Sequence, residues 1–163
     1  MILYTEEQIK KRVHELANMI ESDFQDTQIT PVFLGVLNGS FIFMADLIRA
    51  YNGACEIDFC RIKSYKDNQI QASVFIKANE IDISGRHVVI IEDIVETGST
   101  LNLLTYELKK QHPEAIFICS LFKRQTCKLK VDYVGFVLNT GVYIYGYGLD
   151  NKNLDRNLKE VRI

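Results

Sequence analysis

Apolar positions along this chain follow two different spacings. Ile9, Val13, Leu16, Ile20 and Phe24 recur every three or four residues, which is the stripe of an amphipathic helix. Thr5 and Gln8 stand three apart just before that stripe, the spacing of a capping box, so a helix is predicted over roughly residues 6–24. PVFLGVL (31–37) is a short continuous apolar run and reads as a buried strand. NGS breaks it, and FIFMADLIRAY (41–51) reads as a helix. ACEIDFCRI (54–62) predicts a second strand, RIKSYKDNQIQ (61–71) is polar and turn-rich, and SVFIK (73–77) is a strand returning from that loop. After the turn ISGRH comes VVIIED (88–93), the third core strand. Ser99 to Gln111 is helical and is stopped by His112-Pro113. AIFICSLF (115–122) is the fourth core strand, VDYVGFVL (131–138) and VYIYGYGLD (142–150) predict two more, and the tail NLKEVRI an edge strand.

Strands that alternate with helices imply an α/β fold, with a mostly parallel central sheet covered by helices on both faces. A length of 163 residues suits one domain, 1–163, with a substantial core. In such sheets ligands bind at the carboxyl ends of the strands. The polar residues fall there: Asn38-Gly39-Ser40, Glu92-Asp93 with the ETGST loop, and Lys123-Arg124.

Composition narrows the function. The chain is 47% hydrophobic and 25% charged, as in an ordinary globular protein. Its 19 basic and 21 acidic side chains give a net charge of −2, which argues against a broad nucleic-acid-binding face. Four cysteines are present, no pair has CxxC spacing, and Cys55, Cys60 and Cys119 sit in apolar runs. These read as reduced core thiols. With three histidines and none at ligand spacing to the cysteines, a zinc site is not expected. The amino terminus has no basic region followed by an apolar segment, and no apolar run approaches the roughly 20 residues of a membrane span. The expectation is a cytoplasmic protein with neither a membrane nor a nucleic-acid partner.

The chemistry concentrates in HVVIIEDIVETGSTL, residues 87–101. Gly98 permits a tight backbone path, Ser99 and Thr100 supply hydroxyls, and a helix begins there. A helix start offers free N–H groups and a positive dipole end to a phosphate. On its own the loop is either an ordinary helix cap or an anion site; neither the Walker GxxxxGK nor the Rossmann GxGxxG is present. Glu92 and Asp93 shift the balance. Two carboxylates closing a buried strand make poor structural sense unless they bind hydroxyls or a metal, and sugar hydroxyls and Mg²⁺ both suit such oxygens. Together these features describe a pocket for a phosphorylated ribose.

VVIIEDIVETGSTL resembles the phosphoribosyl pyrophosphate signature of the type I phosphoribosyltransferases, and within them the hypoxanthine-guanine branch. The likeness extends along nearly the whole chain, through LNGSFIFMADL, KSYKDNQ, SLFKR and VYIYGYGLDNKNLDR. It implies the Rossmann-like fold of that family, with a small hood built from terminal segments. It also implies an enzyme of purine salvage that moves ribose 5-phosphate from phosphoribosyl pyrophosphate to a 6-oxopurine base, using Mg²⁺, as a homodimer or homotetramer.

The roles implied by this resemblance are specific. Glu96, Thr97, Gly98, Ser99 and Thr100 hold the 5-phosphate. Glu92 and Asp93 hold the ribose hydroxyls, and with Asp150 they lie near the metal. Leu37, Asn38 and Gly39 present backbone donors to pyrophosphate, with the peptide before Asn38 often cis in the family, and Arg156 adds a forked cationic contact. Lys123 donates to the purine O6, Tyr143 stacks on the ring, and Ile144 and Asp150 contribute backbone contacts. Ser64 and Tyr65 belong to a hood loop that closes over the site and excludes water. Two positions depart from the family pattern. Asn38 stands where many relatives carry Lys or Arg, so a positive charge is missing. Glu96 stands where the 6-oxopurine enzymes carry Asp as general base; the carboxylate is kept on a side chain one methylene longer. Two other readings compete: xanthine as the base, and a regulatory module that senses phosphoribosyl pyrophosphate without turning it over. A generic nucleotide-binding domain explains the strand and loop but leaves Lys123, Tyr143, Asp150 and Arg156 as coincidence.

Overall fold

A computed structural model describes residues 1–25, 27–67, 70–76, 81–139 and 141–163, with backbone alone over 63–67 and 70–76. The chain order is β1 (Ile2–Tyr4), α1 (Glu6–Phe24), β2 (Val32–Leu37), α2 (Phe41–Ala50), β3 (Glu56–Asp67), β4 (Ile70–Ile76), β5 (His87–Val95), α3 (Ser99–Lys109), β6 (Ala115–Arg124), β7 (Tyr133–Leu138) and β8 (Val161–Arg162). Thr5 caps α1 as its spacing predicts, and the reciprocal bond from the Thr5 amide to the Gln8 side chain completes the capping box.

The main sheet has the order β4-β3-β2-β5-β6-β7. All neighbours within it are parallel except β3 and β4, which pair as an antiparallel hairpin. β5 lies between β2 and β6 and is buried on both faces, so its continuous apolar run is what its position requires. Successive β5 residues point to opposite faces. Val89 and Ile91 join α1 and α2 in one core, whereas Val88 and Ile90 join Leu101, Leu104 and Leu108 of α3 in the other. Cys60 and Cys119 are buried free thiols, and burial pushes the Cys60 thiol up to about 12.

Three elements differ from their sequence signal. The polar segment 61–71 falls largely within the β3–β4 hairpin, where Ser64 pairs with Ser73 and Tyr65 with Ala72. An edge hairpin is held by backbone bonds, so apolar alternation is not needed to form it. The side chains of Ser64 and Tyr65 lie outside the described residues. The tail forms β8, but it pairs with β1 rather than the sheet edge, in a separate two-stranded sheet. Tyr4 carries that small sheet onto Phe122 and Phe136, with ring centroids at 5.6 and 4.1 Å. This is the small hood built from terminal segments.

VYIYGYGLD is not a strand. Gly146, Tyr147 and Gly148 have φ of 97°, 51° and 97°, three consecutive left-handed residues that no extended chain can contain. Its apparent alternation has another source: Ile144, Tyr147 and Leu149 turn inward to the α1–α2 core. Gly148 also packs directly on the Gly39 carbonyl, where a Cβ would overlap it. Gly148→Ala therefore meets both a disfavoured φ and a backbone oxygen. The expected outcome is a loss of about 1–3 kcal/mol of stability, read as a lower midpoint in thermal or urea unfolding.

Candidate active site

The carboxyl ends of β2, β5 and β6 bring the predicted residues to one edge of the sheet. At its centre is the acid pair. Glu92 is 8% exposed. Burial pushes its carboxyl well above the ordinary carboxylate range, and the charge and hydrogen bond of Asp93 add to the rise. Asp93 is raised as well, again by burial, against opposing hydrogen bonds and the positive charge of Arg156. The Asp93 amide donates to Glu92 Oε1 at 3.2 Å, and the Ile94 amide donates to Asp93 Oδ1 at 2.7 Å. A buried acid and a half-buried one are thus held close together by the strand that carries them.

The loop after β2 packs directly on this pair. A Cβ on Gly39 would overlap the Asp93 carboxylate, so only glycine lets the loop backbone approach so closely. Ser40 is buried and donates its hydroxyl to the Val36 carbonyl at 2.6 Å, which anchors the loop to its own strand. The Leu37–Asn38 peptide is cis. Asn38 is exposed, and its Oδ1 accepts a hydrogen bond from Arg61 Nη2 at 2.8 Å.

The loop after β5 leads into α3 through Gly98, which has φ of 85° and lies against Leu129. The two helix starts contrast. α1 satisfies its own amino end with a capping box and has Glu6 and Glu7 in its first turn. α3 has no side-chain cap and no acid in its first turn. The Ser99 amide donates to Thr97 Oγ1 at 3.3 Å, the Thr100 and Leu101 amides have no acceptor among the described residues, and the dipole is not offset. The Thr97 and Ser99 hydroxyls bond to each other beside them.

Glu96 is exposed, and its carboxylate is gripped by Arg124, with Nε to Oε2 at 2.9 Å and Nη2 to Oε1 at 3.0 Å. Arg124 is itself buried and also donates to the Val142 carbonyl at 2.8 Å, so one guanidinium ties the β5 loop to the terminal segment. Lys123 stands one residue earlier on β6, half-buried, in register with Val95. Tyr143 is 60% exposed and its hydroxyl donates to the Asp150 carbonyl. Ile144 beside it is buried. Arg156 donates to the Gly148 carbonyl at 2.7 Å and pairs with Asp150 at 3.1 Å. Charge spacing alone could not reveal the grips of Arg124 and Arg61, because each partner comes from a distant segment. A separate cavity of about 460 Å³, lined in part by Lys10, Asp46, Arg49 and Tyr147, opens between α1, α2 and the terminal segment and includes none of these residues.

The raised carboxyl of Glu92 has a consequence for stability. The folded protein holds this proton to higher pH than the unfolded chain does. Folding is therefore penalised above the ordinary carboxylate range, and the penalty fades as pH falls into that range. Glu92→Gln removes it. The substrate-free variant is expected to melt several degrees above the parent near about pH 8, with the gap closing near about pH 4, as followed by calorimetry or circular dichroism.

A family model described as the phosphoribosyl transferase domain matches residues 2–151. The chain is 34% identical to a hypoxanthine-guanine phosphoribosyltransferase of Bacillus subtilis, covering 99% of this chain and 91% of that one. It is 33% identical to a hypoxanthine-guanine-xanthine phosphoribosyltransferase of Tritrichomonas foetus, covering 99% and 90%. Among solved structures, a hypoxanthine-guanine phosphoribosyltransferase of Bacillus anthracis with HEPES in its active site superposes with a TM-score of 0.91. It shares 35% identity, with coverage of 99% of this chain and 96% of that one. The parallel sheet, the hood and the signature strand of β5 are therefore those of a known fold, and this chain belongs to the phosphoribosyl transferase family.

Proposed function

We propose that the protein is a purine-salvage enzyme that transfers ribose 5-phosphate from phosphoribosyl pyrophosphate to hypoxanthine, guanine or both, releasing pyrophosphate. One observation carries this reading: the close pair of buried Glu92 and half-buried Asp93, and a start of α3 without a side-chain cap, stand at the end of one strand. A ribose needs oxygen acceptors for its hydroxyls, and its 5-phosphate needs amide donors. The two lie here a few residues apart.

In this reading the α3 amides and the hydroxyls of Thr97, Ser99 and Thr100 bind the 5-phosphate, with Glu92 and Asp93 on the ribose hydroxyls. Leu37, Asn38 and Gly39 receive the pyrophosphate, and Arg156, already poised over Gly148, completes its cradle. The exposed Tyr143 ring is a platform for the purine. Lys123 donates to O6, a bond that the amine of adenine cannot accept, and such a bond discriminates on the order of 10⁴-fold. Ile144 and Asp150 face the base through their backbone. Glu96 is the general base near purine N7, and the fork of Arg124 fixes its direction. As the bond from C1 to pyrophosphate weakens, positive charge grows on the sugar and negative charge on the leaving group. Holding both in a pre-set polar frame is the main catalytic task.

Mg²⁺ suits this donor set. The carboxyls of buried Glu92 and half-buried Asp93 are raised by desolvation, the condition that a hard cation relieves. Among the described residues no group of three His, Cys, Asp or Glu side chains gathers to hold a metal. The ion would therefore rest on Glu92, Asp93 or Asp150 and take its remaining oxygens from substrate and water, as Mg²⁺ commonly does. When bound it neutralises charge on the departing pyrophosphate. The reading includes a homodimer or homotetramer, supported by Ile57 and Phe59, apolar side chains on one face of β3 that are 43% and 41% exposed. It places the protein in the cytoplasm; among the described residues no helix is long and apolar enough to cross a membrane.

The test is an ultraviolet assay with Mg²⁺, phosphoribosyl pyrophosphate and each base in turn. Nucleotide should form from hypoxanthine or guanine, adenine should stay inert, and chelation of the metal should abolish turnover. No turnover with any base, despite tight binding of phosphoribosyl pyrophosphate, would favour a sensing module instead. Glu96→Ala should lower kcat by about 10²–10⁴-fold. Full activity in that variant removes Glu96 from the chemistry.

A further inference from the structure

We infer that Arg61 supplies the positive charge for pyrophosphate that position 38 of this chain lacks; the inference rests on reading the β2 loop as the pyrophosphate site. The parallel register sets Arg61 directly beside Leu37, the last residue of β2. From there its guanidinium reaches the loop, with Nη2 at 2.8 Å from Asn38 Oδ1. The asparagine amide therefore holds a cation over the loop rather than being one.

The charge of Arg61 is uncommitted, in contrast to its neighbours at the site. Arg124 is paired with Glu96 and Arg156 with Asp150. Among the described residues no carboxylate lies within ion-pair distance of Arg61, and its acceptor is a neutral amide. Arginine carries five N–H donors in a rigid fork. One bond to Asn38 orients that fork and leaves donors for a second ligand. The residue is exposed, so an arriving anion can reach it. Its location selects the anion: its guanidinium bonds Asn38 of the β2 loop, whereas the uncapped amides of α3 follow a different strand. A diphosphate spanning the loop meets both backbone amides and this guanidinium. Arg61 thus binds the leaving group, and Asn38 is a positioning residue that acts through it.

Binding of Mg²⁺-pyrophosphate and of phosphoribosyl pyrophosphate, measured by calorimetry, tests this without requiring turnover. Arg61→Gln should weaken both by about 10- to 100-fold, the range for losing one charge-assisted hydrogen bond. KM for phosphoribosyl pyrophosphate should rise in parallel, KM for the purine should stay within about twofold, and the melting temperature should hold. Asn38→Lys placed in the Arg61→Gln background should recover most of the lost affinity, because it returns the cation to the loop itself. A purely structural arginine predicts the opposite pattern, a lower melting temperature with unchanged pyrophosphate affinity, and that result overturns the inference. So does a double variant no better than Arg61→Gln alone. Parent protein that binds no pyrophosphate overturns the functional reading as well, whereas a parent that binds it and an Arg61→Gln that binds it equally remove only Arg61.

Discussion

Two adjoining carboxyl groups at the end of the central strand, one buried and one half-buried, are the constraint around which this molecule is arranged. Glu92 and Asp93 sit on β5, the strand covered on both faces, and the amide bonds to the pair and the charge of Arg156 offset only part of the cost of burial, so both carboxyls stay raised. A chain selected for stability alone would place apolar residues there. The acids are useful only to a ligand that brings hydroxyls or a cation. The free energy withheld from folding is then available to binding, and the empty site is a less stable state than the filled one.

The rest of the site is shaped by how closely other backbone can approach that pair. Gly39 lies against the Asp93 carboxylate, and Gly148 lies against the Gly39 carbonyl. Three segments distant in sequence are stacked, with the Asp93 carboxylate between β5 and the loop, and backbone directly on backbone between the loop and the terminal segment. A substituent at either glycine would separate the β2 loop from the acids or the terminal segment from the loop. Arg156 spans the same stack from the outside, through the Gly148 carbonyl and Asp150. The hood is therefore part of the site's construction: its turns bring Tyr143, Asp150 and Arg156 to the strand ends.

Legibility in the sequence followed the physical origin of each signal. α1 was predictable at both ends because its cap, its stripe and its burial are all local. The core strands declared themselves through burial on both faces. VYIYGYGLD carries apolar residues spaced like a strand, but Gly146 and Gly148 let the backbone turn left-handed, a freedom that the alternation does not register. The site residues on β5, β6 and the terminal segment could be nominated from motif resemblance. Their mutual arrangement could not, since it depends on register. The Arg61–Asn38 contact exists because β3 lies beside β2 in one particular alignment. No pattern within either segment encodes it.

The two departures from the family pattern share one physical logic. At position 96 the carboxylate has gained a methylene, which adds a rotatable bond and loosens its aim. Arg124 answers with a two-point grip from a buried guanidinium, anchored in turn to the Val142 carbonyl. A longer lever is acceptable when its far end is fixed, because positional freedom rather than length is what degrades a base. At position 38 the chain has lost a charged side chain, and a guanidinium from the adjacent strand stands over the amide that replaced it. In both cases an arginine from a neighbouring strand attends the altered residue, so the carboxylate and the cation that the proposed reaction needs would both be kept. Under the proposed function the working unit is the pair across strands, not the single motif residue. This explains how a signature can vary at two of its sites within an intact fold.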